Sequence, residues 1–364
     1  MEIFSADNFT PYQIKYRKIS GSMVNFGKIL DNYFSNYRIT RISQLDRNEI
    51  NSENYQIVIE SKKGQKKLLL RKNKILSNLE QVNFYLNLLI GLAKQGVPVS
   101  EVIRNKKREV SAVVDGNIYS LFKFIEGEHF RPTKKALMSV AEAIARMHKA
   151  FNKIDAKNVS RIKKLSGRSK AYFNIIKKYS LSDFKKIRDI IKNKKDKSET
   201  ESNFLEAFSK IESTIEEVKI YKNQLKRLPV KVIHSDLHPH NILMQEKKVG
   251  AIVDFDAVRL SPQGRDVAFV IYRLGRQFFV NNAISDKSQA VRLKNIFLEK
   301  YCKIKPLTEN EILLLPILLK DDFLKRLLFV LKGIYEQNNL TWAADMIKFI
   351  IYLQEIEYFW PDKK

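Results

Sequence analysis

The chain has 364 residues, 44% of them hydrophobic, enough for a sizeable buried core in one large or two smaller domains. Its single cysteine, Cys302, excludes an intrachain disulfide, and a reducing, cytoplasmic compartment is expected. Lys and Arg total 66 against 40 Asp and Glu, a formal net charge of +26 that admits an anionic partner without specifying one.

The first residues, Met1 to Asp7, have neither a basic segment nor an apolar run, so no signal peptide is expected. Residues 24–37 read as a helix. Strands follow at 39–45, 55–60 and 67–71, with Lys62-Lys63-Gly64-Gln65 as a hairpin turn. Residues 77–95 carry Leu79, Val82, Phe84, Leu86, Leu89 and Leu92 on a helix. A second hairpin, 110–114 and 117–125, turns at Asp115-Gly116. These elements make a small sheet with one packed helix.

Residues 134–150 read as an amphipathic helix, and 151–229 as mostly helical and charged, with a break at 193–202. The densest basic stretch, 153–197, places Asp183, Phe184, Ile187, Ile190 and Ile191 at helical spacing, which marks a solvated helix face. No zinc-ligand spacing or RNA-binding strand motif accompanies it, so no specific nucleic-acid partner is expected. Further helices are expected at 266–280 and between 309 and 360. The apolar tract 312–334 is interrupted by Lys320, Asp321, Asp322, Lys325, Arg326 and Lys332, so no transmembrane segment is expected. The fold class is α+β, and oligomeric state is not legible.

The chemistry concentrates in His234-Ser235-Asp236-Leu237-His238-Pro239-His240-Asn241 and, beyond a short hairpin, Asp254-Phe255-Asp256. Val230-Lys231-Val232-Ile233 reads as a strand leading in, with two more at 242–244 and 249–253. The pattern H-x-D-x-x-x-x-N followed by a second carboxylate suits phosphoryl transfer. That reaction needs a carboxylate beside the attacking hydroxyl, an amide oxygen on Mg²⁺ and a carboxylate bridging the metals. Asp236, Asn241 and Asp254 take these parts in order. Asp256 reads either as a second metal ligand or as a loop-capping carboxylate. His234 reads as packing beneath the loop, and His238 and His240 as structural loop residues or as groups that approach phosphate or substrate. A zinc site of the three histidines fits no structural spacing.

These motifs, with Gly96-Val97-Pro98-Val99, Glu126-Gly127 and the Ala143-Ile144-Ala145-Arg146-Met147-His148 helix end, resemble the aminoglycoside phosphotransferase and choline kinase family. The likeness spans about residues 40 to 350 and is greatest to its homoserine-kinase-like and spore-coat-kinase-like bacterial branch. It implies a bilobal protein-kinase-like fold, with an N-lobe at 1–125 and a helical C-lobe at 126–364. It also implies transfer of the γ-phosphate of ATP, with Mg²⁺, to a hydroxyl of a small molecule: an amino alcohol such as homoserine or choline, a sugar, or an aminoglycoside. The alternative is a non-catalytic scaffold or coat-associated binding protein of the same fold.

The resemblance further implies a hinge at Phe124 and Ile125 pairing with adenine, and an Asp266 that accepts backbone hydrogen bonds from the loop or caps the following helix. Arg71 is the phosphate-binding cation, or Lys72 if the register slips by one, with Glu80 as its anionic partner. No glycine-rich phosphate loop occurs; residues 48–54 stand in its place, with Ser52 and Asn54 helping to cap the phosphates. Asp321, Asp322, Glu336 and Glu355 are candidates to meet an acceptor amine.

Overall fold

The computed structural model describes residues 3–4, 13–17, 19, 24–45, 52–74, 78–166, 178–282, 284, 286–341 and 343–361. In chain order come β1 (Tyr16–Arg17), α1 (Phe26–Leu30), β2 (Tyr37–Leu45), β3 (Ser52–Ser61), β4 (Gly64–Asn73), α2 (Leu79–Lys94), β5 (Val102–Ile103), β6 (Ala112–Val114) and β7 (Asn117–Lys123). The strands form one antiparallel sheet in the order β1-β2-β3-β4-β7-β5, with β6 also on β7.

Strand alternation decides which residues meet the cleft. Leu68 and Leu70 of β4 join Tyr55, Ile57 and Ile59 of β3 in a small core with Ile29 and Leu30 of α1. The interleaved Leu69 and Arg71 face the opposite way and line the cleft. Gly64, at φ 92°, turns β3 into β4 where a side chain would be strained.

Two expectations change here. The helix at 24–37 is only Phe26–Leu30; the chain leaves it through turns at 31–33, and Asn36, at φ 56°, redirects it into β2 at Tyr37. Ser52 and Asn54 are strand residues, registered against Asn73 and Arg71, rather than part of a phosphate-capping turn. Residues 48–51 of that turn, and Ser77 before α2, lie outside the described residues.

The second half is mainly helical. It runs β8 (Glu128–His129), α3 (Lys134–Phe151), α4 (Ala156–Ser166), α5 (Leu181–Lys192), α6 (Glu199–Glu206), α7 (Phe208–Ile220), α8 (Lys222–Arg227) and β9 (Val230–Ile233). Then come β10 (Ile242–Gln245), β11 (Lys248–Ile252), β12 (Arg259–Pro262), α9 (Gly264–Asn282), α10 (Gln289–Ile304), α11 (Glu309–Leu313), α12 (Leu315–Gln337) and α13 (Asp345–Phe359). Strands β11-β10-β8 make one small sheet and β12-β9 another.

Thr133 starts α3 by accepting the Ala136 N–H at 3.2 Å. The break expected at 193–202 ends early, because Ser198 and Glu201 form a reciprocal capping box that opens α6. Lys177 of the basic stretch lies outside the described residues. The main core runs from α2 through α3, α9, α12 and α13. No described helix is long and apolar enough to cross a membrane.

Candidate active site

The loop after β9 is anchored from below. Asp266, in the first turn of α9 and 1% exposed, accepts the N–H groups of His234 at 2.7 Å and Ser235 at 2.8 Å. Its Oδ2 also lies 3.1 Å from His148 Nε2, while Tyr301 Oη lies 2.7 Å from His148 Nδ1. With Asp266 ionised, Nε2 carries the proton and Nδ1 accepts from Tyr301. Gln263 adds a tie, donating to the carbonyls of His148 and Val232 at 3.3 and 3.2 Å. Because α9 already starts at Gly264, Asp266 locks the loop and does not cap the helix.

His234 is fully buried. Its Nε2–H donates to the Val253 carbonyl at 3.0 Å, its Nδ1 accepts from the Asp236 N–H at 3.3 Å, and its ring packs on Phe255 at 4.5 Å. Burial lowers its pKa against the pull of Asp266 and Asp236. A neutral imidazole with both nitrogens engaged by backbone positions the loop and moves no proton.

The hairpin β10–β11 carries the second acidic motif back to the loop. Val253 N–H donates to the Asn241 carbonyl at 3.0 Å. Asn241 Nδ2 donates to the Asp236 carbonyl at 2.8 Å and approaches Asp236 Oδ2 at 3.3 Å. Its nitrogen is thereby committed, and its Oδ1 is the end left to face a cation. Ser235 and Asp254 sit at φ 73° and 63°, a left-handed conformation costing non-glycine residues about 1–2 kcal/mol each. Such strain persists where the surroundings dictate it.

Asp236, Asn241, Asp254 and Asp256 converge on one cleft of about 600 Å³ between sheet and helices. Phe124, Ile125, Ser52, Asn54 and Arg71 line the same cleft, as expected. Arg71 reaches across to Asp256 at 2.5 Å and Asp254 at 3.3 Å. Lys72, next along β4, faces the other side and does not line the cleft, so of the two it is Arg71 that meets it. Glu80 is not its partner: it is exposed on α2, 3.7 Å from Arg161. Asp256 is neither a simple cap nor solvent-facing. Burial raises its pKa, Arg71 opposes this and Asp254 adds to it, leaving a value of about 6.

Asp236 behaves differently. Burial raises its pKa, but His238, with Nε2 at 3.4 Å, and Arg326 outweigh this and hold the carboxyl below the usual range. It stays ionised at neutral pH. His238 and His240 both line the cleft beside Asp236.

The acidic residues expected to meet an acceptor amine are spent elsewhere. Asp322 is buried among Arg326 at 2.7 Å and Arg259 and Arg265 at 3.3 Å, and Asp321 pairs with Arg265 and Lys325 at 2.7 Å. Glu355 pairs with Arg276 at 2.8 Å, and Glu336 with Lys186 at 3.0 Å. The groups that do line the helical end of the cleft are Arg273, Arg326, Asp345, Lys348, Phe349 and Tyr352. They come from α9, α12 and α13, too far apart in the chain for any spacing rule to unite them.

The model of the phosphotransferase enzyme family (APH) matches residues 42–290. Homoserine kinase from Methylobacillus flagellatus is 25% identical over 269 residues, covering 73% of this chain and 74% of that protein. A Bradyrhizobium homoserine kinase is 24% identical, covering 76% and 75%. Among solved structures, an aminoglycoside phosphotransferase from Alicyclobacillus acidocaldarius superposes with a TM-score of 0.64 at 13% identity, covering 93% of this chain and 95% of that one. Spectinomycin phosphotransferase gives 0.60 at 15% identity, covering 89% and 92%. The chain therefore belongs to the phosphotransferase enzyme family and is a small-molecule kinase with the α+β protein-kinase-like fold.

Proposed function

We propose that the chain transfers the γ-phosphoryl group of ATP, in the presence of Mg²⁺, to an alcohol of a small metabolite. The observation that carries this reading is the convergence of Asp236, Asn241 and Asp254 on a cleft that Phe124, Ile125 and Arg71 also line. The sheet half, 1–125, would hold the nucleotide and the helical half, 126–364, the acceptor.

Asp236 orients the acceptor hydroxyl. The new bond joins that oxygen to the γ-phosphorus, the bond to the β-bridging oxygen breaks, ADP leaves, and the hydroxyl proton passes to the Asp236 carboxylate. A carboxylate with a lowered pKa is a weak base, which suffices where the transition state is loose and proton transfer comes late. Positioning by the Asp266-anchored loop then matters more than basicity.

The oxygen donors Asn241 Oδ1, Asp254 and Asp256 suit a hard divalent cation. Two neighbouring carboxylates, one with its pKa pushed up to about 6, offer the negative charge such an ion neutralises. Magnesium would supply charge neutralisation on the phosphates. Arg71 occupies these carboxylates in the free chain and turns to the phosphates when the nucleotide enters.

The test is thermal stability and ADP release. Millimolar ATP with Mg²⁺ raises the melting temperature by mass action, and ADP release requires an added alcohol. A chain that neither responds to nucleotide nor releases ADP is a scaffold.

A further inference from the structure

The helical end of the cleft is cationic where an amine-binding site would be acidic. Arg273 of α9 is 8% exposed; its Nη1 donates to Tyr352 Oη, and its guanidinium lies 5.0 Å from the Tyr352 ring. Its Nε is buried with no hydrogen-bond partner among the described residues. Leaving a guanidinium N–H unsatisfied is costly, which makes the wall a receiver of acceptor groups. Arg326 of α12 lies with its guanidinium 5.2 Å from the Phe269 ring and donates to the Ser235 carbonyl at 3.2 Å, one residue from Asp236. Lys348 of α13 completes the wall, 3.0 Å from Asp345.

The charges fit one class of molecule. Asp322 is already shared among Arg259, Arg265 and Arg326 behind the wall, so Asp345 is the carboxylate of α13 that lines this end. Burial and the nearby Arg273 and Arg326 lower the pKa of Lys348, against the pull of Asp345, as expected where three cations gather at one end of a cleft. A polycationic acceptor would be repelled here. A dianionic phosphate would meet both Asp345 and Asp236. A single carboxylate beside an amine satisfies each group: the carboxylate on Arg273 and Lys348, the amine on Asp345.

The geometry points to an acceptor that is a hydroxy amino acid, its carboxylate held by Arg273 and Lys348 while its hydroxyl faces Asp236. This rests on the kinase reading and narrows it to one substrate class.

The test compares matched pairs that differ only in the carboxylate: L-homoserine with 3-aminopropan-1-ol, L-serine with ethanolamine, and L-threonine with 1-aminopropan-2-ol. At least one amino acid is expected to exceed its decarboxylated partner in kcat/KM by about 10- to 100-fold, the worth of a charge-assisted contact. Arg273→Gln and the less buried Lys348→Gln each bring that ratio towards unity, and Arg273→Lys restores part of it. A decarboxylated partner, or spectinomycin, turned over as well as or better than every amino acid overturns the inference while leaving the kinase reading intact. Calorimetric titration of the same pairs into protein saturated with Mg²⁺ and a non-hydrolysable ATP analogue reads the same preference without turnover; amino acids binding no more tightly than their partners overturn it. Failure of Mg²⁺ and ATP to stabilise the protein would instead refute the kinase reading beneath it.

Discussion

Replacing Asp266 with Asn isolates the device that holds the reacting loop. The substitution keeps shape and removes charge. Asp266 accepts two consecutive backbone N–H groups at 2.7 and 2.8 Å and faces His148 Nε2 at 3.1 Å, all without solvent. Asparagine has one acceptor oxygen and must point its NH₂ at another donor. Losing a charge-assisted bond and opposing two donors costs about 2–4 kcal/mol, expressed first at the loop. Amide hydrogen exchange at His234 and Ser235 is expected to lose protection by about 30- to 1000-fold, because local opening there becomes that much easier. The value of kcat falls in parallel, since Asp236 is then held less firmly. Wild-type protection at those amides, with a wild-type urea midpoint, would refute the claim that Asp266 locks the loop.

Three further outcomes follow from the structure. Arg71→Met is expected to raise KM for ATP at least about tenfold, and Lys72→Met to change it less than about twofold, because only Arg71 faces the cleft; equal effects in steady-state kinetics would show the strand faces to be reversed. Gly127→Ala would place a methyl carbon 2.5 Å from the Met244 carbonyl oxygen and is expected to cost about 1–3 kcal/mol, read as a lower urea midpoint; an unchanged midpoint would contradict the close approach. Burial raises the pKa of Glu201, but Lys194, Ser198 and Tyr335 outweigh it and depress the value from 4.5 to about 2. A depressed folded pKa means stability that is present above pH 4.5 and is lost as pH falls towards 2. Wild type should therefore lose more stability between pH 6 and 3 than Glu201→Gln, and parallel losses would dismiss the Glu201 contribution.

The groups proposed to react were legible because Asp236 and Asn241 sit at fixed offsets in one loop and the hairpin after them fixes where Asp254 returns. The family resemblance likewise favoured Arg71 over Lys72. The partner of Arg71 was not legible: Glu80 is near in sequence, whereas Asp256 lies 185 residues away across the cleft. The acidic residues Asp321, Asp322 and Glu355 looked available because a linear pattern cannot show that Arg259, Arg265 and Arg276 are buried against them. Arg273 and Lys348 were missed for the same reason. They join Arg326 only when three helices pack, and no local signal marks them. The short α1 shows the limit of periodicity, since the helix stops at Leu30 although apolar residues continue at Tyr33, Phe34 and Tyr37.

The most direct measurement is turnover by Asp236→Asn, which keeps the side-chain volume and the Asn241 contact but removes the charge beside the acceptor hydroxyl. Melting should still rise with Mg²⁺ and ATP, while acceptor-dependent ADP release should fall by about a thousandfold or more. Wild-type release from that variant would contradict the account.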